Sequence, residues 1–415
     1  MKSPRAAGPS APRGVACAWR VLRLGAAAAL GLALAACGGG GGSSGTAPVA
    51  PAVGANQLLV TIEQNPALVS SNVATVNIPY VTVGVCDASA RCVSIDHVVL
   101  DTGSYGLRVL QGALAGLTLP VDTAAGGTQL AECARFLDGH LWGAVSHASL
   151  LLGGETTGSL PIQVIGSGTL PAAPSSCSSA GPDVGSVVAL GGNGLLGVGQ
   201  FVADGQVYYG CTSSSCTELL PQPPASAQVS NPVPYLNSTD TNGVLLQLPA
   251  IPTIGAGTTY GVLSLGVGTQ PDNAVTGYTP LASDSGGNIT ISVQGVPHAG
   301  SFLDSGSNFN FAWLSGVPTD GAGNYTPSSL LDLPITLSTS SGTTPAGSLN
   351  AQMYVGDYSS MDFAKYLAFN DIAAQTATSS SPVDLGLPFF YGRGVAYVIQ
   401  GMNSPLGYGP MYAVR

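Results

Sequence analysis

VVLDTGSYGLRVL (98–110) and GSFLDSGSNFNFAW (300–313) share one pattern: an apolar lead-in, then Leu, Asp, Thr or Ser, Gly and Ser, then a second apolar stretch. The two Asp residues lie 203 positions apart. An echo at that distance predicts two related lobes. A lone Asp-Thr-Gly carries little information; two copies with the same lead-in and the same following Ser carry much more. Two carboxyls brought face to face cannot both ionise, so one stays charged, one keeps its proton, and the pair titrates as a unit. Asp101 and Asp304 are the candidate pair. Ser104 and Ser307, with Thr102 and Ser305 beside them, offer hydroxyls to orient it, and Gly103 and Gly306 let the loop backbones approach without a Cβ clash.

Outward from these loops, the body reads as strands separated by Gly, Pro, Asn and Asp turns. Leu58–Glu63 and Val73–Val85 alternate, and Val98–Leu100 is a buried-type run leading into Asp101. Ala148–Gly153, Leu160–Ile165, Val187–Leu190 and Leu195–Gly197 follow. A second series contains Val244–Leu248, Gly261–Leu265, Ile289–Val293, Ile335–Leu337, Ala351–Val355 and Val395–Ile399. Helical signal is confined to Asp362–Phe369 and, more weakly, Pro327–Leu331 behind Thr326. The expected fold is all-β, with lobes at 56–235 and 243–415 and a cleft between them.

These motifs resemble the two active-site loops of pepsin-like aspartic peptidases, and the resemblance extends in order along most of the body. VNIPYVTVGVCDASARCVSIDHVVLDTGS (76–104) resembles the strand, hairpin and strand before the first loop, and Leu195-Leu196-Gly197 resembles the segment packed beneath it. GVLSLGVG (261–268) resembles the start of the second lobe, and ISVQGVPHAGSFLDSGS (291–307) its hairpin. DLGLPFFYGRGVAYVIQ (384–400) and GYGPMY (407–412) resemble the closing segment. The resemblance implies a bilobal pepsin-like double barrel. It also implies hydrolysis of peptide bonds by a water activated between Asp101 and Asp304, with no metal or cofactor. Segment 134–154 resembles the flap, which places Phe136 where a Tyr is usual and Trp142 nearby as the other lid residue. Arg108 stands where a Trp is usual, and Asp384 is out of pattern before Leu385-Gly386. The chain also resembles an uncharacterised family of bacterial secreted lipoproteins, which implies no activity.

The N-terminus reads as an address. A basic segment to Arg23 precedes LGAAAALGLALAA (24–36), which has signal-peptide length and is too short to span a bilayer. Leu34-Ala35-Ala36-Cys37 resembles a bacterial lipobox, implying cleavage after residue 36 and a lipid on Cys37. Residues 37–55 form a Gly/Ser/Pro tether. The expected place is the bacterial cell envelope at the outer membrane, with the lipid as the membrane contact. Six cysteines remain beyond Cys37, an even number that favours disulfides in an exported chain. Of the fifteen possible connectivities, the short pairs Cys86–Cys92 and Cys211–Cys216 close loop tips, leaving Cys133 with Cys177. The cysteine spacings and four scattered His do not form a zinc pattern.

Charged residues make up 8% of the chain, and Gly numbers 58. Five of the eleven basic residues precede Leu24, leaving six against 21 acidic ones. That balance offers no basic footprint for nucleic acid. A monomer acting on peptide or protein is expected. The rival readings are a non-catalytic envelope module holding peptide or glycan in the same cleft, and a scaffold lipoprotein without a cleft function.

Overall fold

The computed structural model describes residues 48–415 apart from Asn72, together with the two-residue strand Leu22–Arg23. The signal segment other than that strand, Cys37 and the first part of the tether lie outside the described residues. The body is almost wholly β. One sheet of fifteen strands runs through both halves of the chain, and a sheet of seven belongs to the second half.

In the first lobe six strands close into a barrel. Pro79–Cys86, Cys92–Asp101, Gly194–Val198, Tyr105–Leu110, Glu155–Ile165 and His140–Leu152 pair in that order, and His140–Leu152 pairs back to Pro79–Cys86. Closure removes exposed edges. It also buries a core that includes Val83, Val98, Leu100, Leu107, Leu150, Ile162 and Leu196, all at 0% exposure. The two lobes are not independent. Gln57–Ile62 pairs with Thr259–Leu265 of the second half, and the sheet continues through Gly243–Gln247 and Gly394–Val398 to Met411–Val414.

Each lobe presents its Asp in the same way. Gly194–Val198 lies parallel to Cys92–Asp101 and antiparallel to Tyr105–Leu110, so the strand of Leu195 and Leu196 separates the two arms of the first loop. In the second lobe Asp384–Leu385 lies parallel to Phe302-Leu303 and antiparallel at Phe311, between the arms of the second loop. The architecture is the all-β, two-lobed one expected from the paired motifs.

Three sequence expectations fail locally. Val187–Leu190 is a helical turn, not a strand: the Ser186 hydroxyl accepts from Ala189 N–H, and Gly191 closes the turn with φ of 76°. A four-residue apolar run does not distinguish the two by periodicity. Asp362–Phe369 is a set of turns. The Asp362 carboxylate accepts from Ala364 and Lys365 N–H, but Ala368 bridges to Ala256. Pro327–Leu331 is irregular and ends in the strand Leu331–Ser338. The three expected disulfides all form: Cys86–Cys92, Cys133–Cys177 and Cys211–Cys216.

Candidate active site

Asp101 ends its strand and Asp304 follows its own, and both are fully buried. The loops grip each other. Thr102 N–H donates to Ser305 Oγ at 3.2 Å, and Ser305 N–H donates to Thr102 Oγ1 at 2.8 Å. Ser305 Oγ donates to the Leu100 carbonyl at 2.8 Å. On the other side, Thr102 Oγ1 donates to the Tyr397 hydroxyl at 2.9 Å, and that hydroxyl donates to the Leu303 carbonyl at 3.1 Å. The residues that cross from loop to loop are therefore Thr102 and Ser305, with Tyr397 as a bridge.

Ser104 and Ser307 each lie against the carboxyl of their own loop. Ser104 Oγ donates to Asp101 Oδ2 at 2.5 Å, and Gly103 N–H to Asp101 Oδ1 at 2.8 Å. Ser307 Oγ lies 3.1 Å from Asp304 Oδ2, and Gly306 N–H donates to Asp304 Oδ1 at 2.8 Å. Gly103 is required at close range: a Cβ there would sit 2.6 Å from Asp304 Cγ. The Asp304 carboxyl thus lies against the loop that carries Asp101, and each carboxyl is within range of the other's charge. Asp304 is pushed well above the usual carboxyl range, first by burial, then by the charges of Asp101 and Asp384, then by its hydrogen bond with Asp101.

The lid residues need correction. Phe136 is 6% exposed and packs with Ile78, Tyr80, Val99 and Leu195. Trp142 donates its indole N–H to the Pro171 carbonyl at 2.9 Å and meets the Tyr209 ring edge-on beside the Cys133–Cys177 disulfide. Both rings are committed to packing within the first lobe, so neither is free to close on a substrate. The cavity beside the dyad is lined by Thr102, Gly103, Tyr105, Gln200, Gly287 and Tyr412 among others, and holds about 20 Å³. That is room for one water but not for a peptide.

The two residues that departed from pattern in the sequence find their partners only in the structure. Arg108 is 1% exposed and binds Glu132 Oε1 at 2.6 Å, Asp204 Oδ2 at 3.0 Å and the Tyr105 carbonyl at 2.7 Å. It thereby fixes the first loop's outgoing strand to the hairpin strand Gln129–Arg135. Burial, then the nearby charge of Asp204, pushes Glu132 well up against the opposing pull of Arg108. The second is Asp384, 6% exposed, whose Oδ2 is 2.5 Å from Ser307 Oγ. For both residues the departure from pattern was the signal in the sequence. His97, four residues before Asp101, faces Glu63 at 3.4 Å and the ring of Tyr80.

No curated protein matches the chain. Among solved structures it is similar to an aspartic proteinase from Irpex lacteus, at 13% identity and a TM-score of 0.47, over 86% of this chain and 96% of that one. The model of the family described as Protein of unknown function (DUF3443) matches residues 52–414, and the chain belongs to that family.

Proposed function

We propose that the protein is an aspartic-type endopeptidase of the bacterial envelope, hydrolysing peptide bonds of peptide or protein substrates with Asp101, Asp304 and an activated water. The observation that carries this reading is a pair of fully buried carboxyls presented by two equivalent loops that are hydrogen-bonded to each other through Thr102 and Ser305. Burial and the charge of its partner favour a proton on Asp304. That leaves the Asp101 carboxylate as the base, which takes a proton from water as the water attacks the substrate carbonyl. Asp304 supplies its proton to the carbonyl oxygen; as the C–N bond breaks, Asp101 passes the water's proton to the leaving nitrogen and Asp304 takes one back from the diol, which restores the dyad. Ser104 Oγ and Gly103 N–H hold the Asp101 carboxyl, Gly306 N–H holds that of Asp304, and Thr102 with Ser305 holds the loops together. Lipidation at Cys37, an outer-membrane location and a monomeric state belong to the same proposal.

Access requires the surroundings of the 20 Å³ cavity to part. The test is hydrolysis of a denatured protein by the purified full chain between about pH 3 and 7, the range of a coupled carboxyl pair. Activity lost in both Asp101→Asn and Asp304→Asn supports the mechanism; activity surviving in both ends it. The burial of both carboxyls favours a second reading, a non-catalytic module that binds peptide or glycan between the lobes. Binding of such ligands without hydrolysis at any pH would favour it.

A further inference from the structure

The two loops differ in one respect that their sequences do not announce. Ser104 Oγ serves Asp101 at 2.5 Å. Ser307 Oγ faces two carboxyl oxygens, Asp304 Oδ2 at 3.1 Å and Asp384 Oδ2 at 2.5 Å. A hydroxyl has one proton to give. The contact to Asp384 is the shorter of the two, and the proton goes to it. Given to Asp384, that proton is not available to Asp304. Asp304 then lacks the hydroxyl donor that Asp101 has from Ser104.

We propose that Asp384 is a positioning residue that draws the Ser307 proton away from Asp304, so that Asp304 is the acid of the dyad and Asp101 its base. This deepens the peptidase reading and rests on it. The geometry is built in. Asp384 is held parallel beside Phe302, immediately before the Asp304 loop, and Gly386 permits the approach: a Cβ there would sit 2.4 Å from the Ser307 carbonyl oxygen. Asp304 N–H donates to the Leu385 carbonyl at 3.0 Å, and Leu387 N–H to that of Ser307 at 2.7 Å. The segment that carries Asp384 is thus tied to the loop on both sides of the shared hydroxyl.

The titratable groups facing Asp304 are Asp101, Asp384 and the phenols of Tyr105, Tyr397 and Tyr412. Those facing Asp384 are Asp101, Asp304 through Ser307, and Tyr412. Burial pushes the three phenols up from an already high value, so they stay neutral. Asp384 itself is pushed well up, first by burial and further by the charge of Asp101, while Ser307 pulls the other way. Its charge in turn raises Asp304.

The experiment compares the full chain with Asp384→Asn and Asp384→Leu. The wild type is predicted to keep its acid to higher pH. In both variants the basic limb of the kcat/KM profile should move down by about one pH unit, the scale of a nearby like charge. A profile of unchanged shape, whatever the loss of rate, overturns the proposal, because a merely structural role lowers activity equally at every pH.

A second arm does not need turnover. A carboxyl raised in the folded state stabilises the fold in acid, and that contribution is lost as pH rises. Tm of Asp384→Asn should therefore gain on the wild type from pH 4 to pH 8, and the gain should shrink in an Asp304→Asn background. A difference flat with pH, or one indifferent to Asp304, overturns the coupling. A wild type with no hydrolysis but with this Tm pattern refutes the peptidase reading and leaves the three-carboxyl unit in place.

Discussion

Gly103→Ala is the sharpest perturbation of the dyad that leaves every polar group present. The added Cβ would lie 2.6 Å from Asp304 Cγ and 2.7 Å from each of its oxygens. Carbon atoms in contact sit about 3.5–4.0 Å apart, so the loops must part by roughly 1 Å. Asp304 is not free to swing aside, because Gly306 N–H holds its Oδ1 and its own N–H is tied to the Leu385 carbonyl. The reciprocal bonds between Thr102 and Ser305, now 3.2 and 2.8 Å, would lengthen beyond useful range. Overpacking of this kind, with those bonds weakened, costs about 2–4 kcal/mol. The assay is urea unfolding at pH 5, with Gly112→Ala as the control, since a Cβ at Gly112 meets nothing within 4 Å. The pH response carries the second half of the test. Asp304 is raised in part by Asp101, so the pair lends stability in acid that is lost as pH rises. Separated carboxyls interact less, and the fall in stability from pH 5 to pH 8 should become shallower. A Gly103→Ala protein with the wild-type midpoint and the wild-type pH slope would refute the contact between the loops.

Other outcomes follow from the same geometry. Arg108→Met should cost about 3–5 kcal/mol, because it leaves Glu132 and Asp204 buried without their cation, and adding Glu132→Leu should recover part of the loss in denaturant unfolding. Replacing Cys133 and Cys177 by Ala opens a crosslink of 44-residue separation and should cost about 4 kcal/mol on the chain-entropy view, more than removing the six-residue Cys86–Cys92 pair. Asp371 is raised to about 6 by burial, so its neutral form stabilises the fold below about pH 4 and that contribution is lost as pH rises through 6. Asp371→Asn should therefore gain in Tm over the wild type above pH 6 and show little gain at pH 4.

What the sequence could tell follows from what its local patterns encode. The paired Leu-Asp-[Thr/Ser]-Gly-Ser loops and the apolar Leu195-Leu196 run each carry their own signal and stand where expected, whereas the alternating stretch 73–85 is broken between Ala74 and Pro79. The short disulfides were legible because five or six residues separate their cysteines. The parts that were not legible are meetings across long spans. Asp384 reaches Ser307 over 77 residues, Tyr397 reaches Thr102 over 295, and Arg108 finds Asp204 over 96. Nothing local to these side chains names the partner. The lid failed for a related reason. Phe136 and Trp142 sit on the expected hairpin, but an aromatic residue says only that it will pack, and here the first lobe's own clusters claim both rings.

The central claim is that Asp101 and Asp304 form one proton-sharing unit able to hold the tetrahedral geometry of a hydrated peptide bond. Calorimetric binding of a statine-containing peptide, whose hydroxyl mimics that geometry, tests it most directly across pH 3 to 8. The account predicts tight binding to the wild type that weakens as the shared proton is lost at higher pH, and at least a hundredfold weaker binding to Asp101→Asn and Asp304→Asn. Equal binding by wild type and both variants, or no binding to the folded wild type at any pH, would contradict it.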